Sequence, residues 1–120
     1  MCKFQDGPLF GIKPNYGVLI FVSGPFTKST KHPDQNQNML HAVAAGRWLM
    51  QRGYGVYVPH SAWLGSEHGL EYEWIIETCF SILSHCDGVF MLEGFEYSPG
   101  AQREYQKARD LKLPIEYEGK

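Results

Sequence analysis

Chemistry in this sequence concentrates in one short segment, YSPGAQREY at residues 97–105. Ser98 stands where a helix cap is expected. Pro99 suits the first helical position, where its missing N–H costs nothing. The free N–H groups of such a start, with the positive end of the helix dipole, attract an anion. Gly100 and Glu104 are four positions apart and so share one face of the helix. A glycine one turn above a carboxylate leaves a notch about the size of a sugar ring, where the carboxylate is placed to attack an anomeric carbon. Attack would give a covalent glycosyl-enzyme intermediate through an oxocarbenium-like transition state. The same residues also read as an ordinary helix start followed by a solvated glutamate, so their place in the fold decides between the two.

The surrounding pattern supplies that place. Residues 17–22, GVLIFV, form a continuous apolar run, as expected of a strand buried on both faces. A Gly-, Pro-, Ser- and Thr-rich loop follows. A helix is predicted from about Asn36 to Arg52, ended by Gly53, with Met39, Val43 and Met50 on its inner stripe beside Leu40, Ala44 and Leu49. Asn36 and Asn38 are candidate caps for it. A second strand covers 55–58, and 59–69 reads as loop. A second helix runs from about Leu70 to His85 with Ile75, Cys79, Ile82 and Cys86 inward. A third strand covers 88–92, a third helix runs from Pro99 to about Leu111, and LPIEYE reads as a short last strand.

The order β-α-β-α-β-α-β, with connections of helix length, predicts an α/β fold. Specifically it predicts a Rossmann-like or flavodoxin-like open parallel sheet of four to five strands with helices on both faces. Ligands of such sheets bind beyond the carboxyl ends of the strands. The loops after Val22, Val58 and Leu92 meet there, and the Ser98–Glu104 segment belongs to the third.

Composition narrows the function classes. A chain of 120 residues suits one domain, here 1–120 with an irregular segment over 1–16. The net charge of −2 gives no general basic field for a nucleic acid polymer or an anionic membrane. No apolar run approaches the ~20 residues needed to cross a bilayer. Cys2, Cys79 and Cys86 show no CxxC, and no clustered His and Cys spacing offers a zinc site. Buried thiols in a reducing compartment imply a cytoplasmic protein. No metal and no organic cofactor are expected.

Other residues are placed by these elements. Glu93 and Glu96 follow the third strand and are candidates for a general acid that protonates a leaving base, or are solvated loop carboxylates. His60, at the end of the second strand, is a candidate for base or phosphate contact. Asp87 is expected at the amino end of the third strand as a turn or cap residue. Phe26, Trp63 and Phe95 lie in loops around the mouth, where an aromatic could stack on a base. Lys28, Lys31 and Arg103 could favour a phosphate. His32, His41, His68 and His85 are expected at the surface.

Three stretches carry a family resemblance: IFVSGPF, NQNMLHAVAAGRWLMQRGYGVYVPH, and LSHCDGVFMLEGFEYSPGAQREYQKARDLKLPI. Over roughly residues 17–117 the chain resembles the nucleoside 2-deoxyribosyltransferase-like superfamily, its small phage-type members and the 2′-deoxynucleoside 5′-monophosphate N-hydrolases above all. The resemblance implies that Glu104 is the catalytic nucleophile and that Ser23 and Gly24 line the pocket. Ser98 falls where nucleoside-specific transferases carry aspartate and the monophosphate hydrolases carry serine. A serine hydroxyl at a helix N-terminus can bond a phosphate that a carboxylate would repel. A homodimer or larger assembly is implied as well. Two positions depart from the family: Phe21 stands in place of a tyrosine near the nucleophile, and Cys79 in place of an aspartate. The expected function is therefore cleavage or transfer of the N-glycosidic bond of a (deoxy)nucleoside 5′-monophosphate. The alternatives are a nucleotide-binding protein without turnover, or a glycosidase acting on an NAD- or ADP-ribose-like compound.

Overall fold

In the computed structural model, which describes residues 9–15, 17–25, 35–62 and 72–119, four strands form one all-parallel sheet. They are β1 (Leu19–Ser23), β2 (Gly55–Tyr57), β3 (Gly88–Met91) and β4 (Ile115–Tyr117), in the spatial order β2-β1-β3-β4. Phe21 pairs with Tyr57 on one side and Val89 on the other, and Ser23 lies opposite Met91. The connections are α1 (Gln35–Met50), the short α2 (Pro59–Ala62) with α3 (Tyr72–Leu83), and α4 (Pro99–Asp110). The expected fold class is the observed one. The strand runs were legible because β1 and β3 are covered on both faces, which keeps their positions apolar whichever way they point, up to Ser23 at the end of β1.

Alternation divides the core in two. Ile20, Val22, Phe90 and Leu92 point toward α1, with Ala42, Ala45 and Leu49. Phe21, Val89 and Met91 point the other way, toward Cys79, Leu83 and Cys86 near α3 and Ala108 of α4. Burying each Ile, Val or Phe contributes about 1.5–3 kcal/mol. Asp87 ties β1 to β3 at their amino ends: its Oδ2 accepts from Leu19 N at 2.9 Å and its N–H donates to Leu19 O at 2.7 Å.

Three expectations need correction. The inner stripe of α1 is Asn38, Ala42, Ala45 and Leu49, whereas Leu40 and Met50 are 62% and 53% exposed. The helix is apolar nearly all round, so composition alone could not fix its rotation. The loop after β2 is also not wholly irregular, because Pro59 opens the single turn of α2. Within the N-terminal segment expected to be irregular, Leu9–Gly11 make a 3-10 turn that buries Phe10 against Tyr54. Phe26, Lys28, Lys31, His32, Trp63 and His68, with the side chain of Asn36, lie outside the described residues. Among the described residues, no helix is long and apolar enough to cross a membrane.

Candidate functional site

The sheet has α1 on one face and α3 and α4 on the other, so strand order reverses between β1 and β3. That is the switch point at which open α/β sheets bind ligands. The chain marks the spot with Ser23, the last residue of β1, and with α4, which starts just past the end of β3.

Ser98 caps α4. Its Oγ accepts from Ala101 N at 3.3 Å, and its carbonyl accepts from Gln102 N at 2.9 Å. Pro99 has no N–H, so the Gly100 N–H is the donor of this first turn left without a partner among the described residues. The preceding 3-10 turn, Phe95–Tyr97, is entered through Gly94 at φ 93°, a left-handed conformation that favours glycine. Glu104 lies farther along α4, on the face turned to the sheet. It is 8% exposed, and Ser23 Oγ donates to its Oε1 at 2.6 Å. The Cys79 thiol also donates to this carboxylate. Burial pushes the Glu104 carboxyl up from its ordinary 4.5 to about 7, against the lowering effect of these two hydrogen bonds. Ser23, Cys79 and Glu104 come from β1, α3 and α4, and the Ser23–Glu104 bond spans 81 positions. Cys79 therefore gives Glu104 a neutral donor, where the aspartate expected at this position would be an anionic acceptor.

The remaining candidates are placed as follows. Phe21 is fully buried beneath α3 and α4, its ring 5.9 Å from that of Tyr57. Gly24 backs onto Leu92, so a Cβ on it would stand 2.6 Å from the Leu92 Cβ. This close approach, where the ends of β1 and β3 converge, requires a glycine. His60 is buried, and its Nε2–H donates to the carbonyls of Pro25 at 2.9 Å and Gly24 at 3.3 Å. Desolvation lowers its pKa to about 4, so the imidazole is neutral at physiological pH and braces the first-strand loop. Glu93 and Glu96 are exposed on the loop after β3, and Glu96 O accepts from the Gln102 amide. Arg103 is held by Glu73 of α3 at 2.8 and 3.1 Å, a two-pronged pair on the surface that lowers the Glu73 pKa.

Spacing did not signal one cluster. His41, expected at the surface, is half-buried, and its Nε2 lies 2.7 Å from Glu118 Oε2. The other oxygen of Glu118 accepts from Glu93 N at 2.7 Å, so α1, the end of β4 and the loop leading to Ser98 are joined through one carboxylate. The pairs lie 77 and 25 positions apart, beyond what local periodicity can report.

An open parallel α/β sheet with a buried carboxylate at its switch point defines the class. Within that class the chain belongs to the family described as Domain of unknown function (DUF4406), whose model matches residues 18–117. No curated protein matches the chain.

Proposed function

We propose that the protein cleaves or transfers the N-glycosidic bond of a (deoxy)nucleoside 5′-monophosphate, with Glu104 as the nucleophile. The observation that carries this reading is a buried carboxylate, fixed by Ser23 Oγ at 2.6 Å, on the helix that opens at the switch point. The carboxylate attacks the anomeric carbon. The C–N bond breaks, and its electron pair leaves with the base, which is protonated by Glu93, Glu96 or water. A water or a second base then displaces the carboxylate. The Ser98 hydroxyl and the Gly100 N–H receive the phosphate at the positive end of α4. Small-molecule binding within a homodimer or larger assembly belongs to this reading. The free thiols of Cys79 and Cys86, both buried, support a reducing, cytoplasmic setting.

Chromatography of free base tests the proposal across a panel of nucleoside monophosphates, with NAD and an acceptor base beside them. One substrate should release base. Glu104→Gln should lower the rate on the order of a thousandfold or more while remaining folded. The nucleophile must be ionised, so turnover should rise as pH passes through about 7.

A second reading is favoured by the low exposure of Glu104 and by its neutral partners: a nucleotide-binding protein without turnover. It predicts a thermal shift by one nucleotide that survives Glu104→Gln, and no base release.

A further inference from the structure

A concavity lies on the opposite face of the sheet from Glu104. The helix α1 packs on β1 and β2 and leaves the α1 side of β3 and β4 partly open. The result is a groove of about 330 Å³ between α1 and β4. That volume lies at the small end of the range of about 300–1,000 Å³ usual for ligand pockets, the size for a ligand with one ring.

The lining has two parts. Trp48 and Phe90, their rings 5.9 Å apart and inclined by 30°, form an aromatic wall continued by Ala44 and Ala45. The rim carries Glu116, Glu118 and His41, and among the described residues neither lysine nor arginine lines the groove; Arg52, which is not part of the lining, lies over the Trp48 ring at 3.9 Å. The His41–Glu118 pair is internally compensated when the imidazole is protonated. Glu116 is different. Strand alternation sends Ile115 and Tyr117 into the α4-side core and turns Glu116 toward the groove side. Its Oε2 accepts from Phe10 N at 2.8 Å, while Oε1 carries no bond among the described residues. A carboxylate has about four acceptor positions, so most of its bonding capacity remains available.

We propose that this groove is a binding site for a small aromatic cation: a single ring seated on Trp48 and Phe90, carrying an ammonium or amidinium group held by Glu116. Charge complementarity selects this class. A negative rim repels carboxylates and phosphates, and a neutral ring leaves the Glu116 oxygen without a partner. The site is separate from Glu104 and does not depend on the proposed glycosidic chemistry.

Three ligands with similar bodies and different charge test it on the full-length protein: 2-phenylethylamine, 2-phenylethanol and 3-phenylpropanoate. Binding is followed by amide shifts in NMR spectra. The amine should bind about tenfold or more tighter than the alcohol, the margin expected of a hydrogen bond to a charged partner, and the acid should not bind. Glu116→Gln keeps an acceptor for Phe10 N, so the fold is retained, and it should erase the preference for the amine. Trp48→Ala should weaken amine and alcohol alike. Equal affinity for amine and alcohol overturns the proposal. So does unchanged amine binding in either variant, or no shift at millimolar amine, in which case Glu116 is only an inward charge guarding an edge strand.

Discussion

The two faces of this sheet use carboxylates in opposite ways. On the α3–α4 face, Glu104 is enclosed, has two neutral donors, and has its pKa raised to about 7. On the α1 face, Glu116 and Glu118 sit at a half-open rim and act as clamps, one on Phe10 N and the other on His41 and Glu93 N. Topology accounts for the difference. One crossover covers the first face of a four-stranded sheet and two cover the second, so only the second can withdraw a carboxylate from water. A group withdrawn in this way destabilises the fold when ionised and is useful only if it does chemistry or binds something.

The largest expected effect on stability tests that cost. Glu104 has a folded pKa above its unfolded value, so between 4.5 and about 7 the folded state binds more protons and stability falls as pH rises. A rise of this size corresponds to about 3 kcal/mol, fully felt above pH 7. Glu104→Gln should therefore gain about 2–3 kcal/mol relative to the parent between pH 5 and pH 8, read from urea midpoints. No pH-dependent gain would mean that Glu104 is hydrated and that the contrast between the faces fails.

Next is Gly24→Ala, which forces a Cβ to 2.6 Å from the Leu92 Cβ. Overpacking there should cost about 1–3 kcal/mol, read from urea midpoints. Ser23→Ala removes the shorter donor to Glu104. It should cost about 1 kcal/mol and raise the Glu104 pKa further, which NMR titration of the carboxyl carbon would report. The smallest effect belongs to the α1 surface: Leu40→Gln and Met50→Gln, both at exposed positions, should each stay within about 0.5 kcal/mol in thermal melts.

The same contrast explains what the sequence could reveal. β1 and β3 were legible because burial on both faces leaves an unbroken apolar run, and α4 because Ser98 and Pro99 announce its start. The rotation of α1 was not, since Met39, Leu40, Val43 and Met50 offer apolar side chains to every direction. Glu104 was singled out by its spacing from Gly100, but its partners Ser23 and Cys79 come from other elements. Those contacts exist only once β1, α3 and α4 are assembled. The role of His60 as a brace was equally hidden, because its acceptors are backbone carbonyls 35 and 36 positions away.

The clamp from Glu116 to Phe10 joins residues 106 positions apart. Closing so long a loop is entropically late work in folding. During synthesis, β1, β2 and α1 can meet as soon as they leave the ribosome, but Phe10 must wait for β4. Its ring, which sits beneath Gly88, is then locked in by β4, so a nascent chain halted before Ile115 would carry this part of its core unfastened.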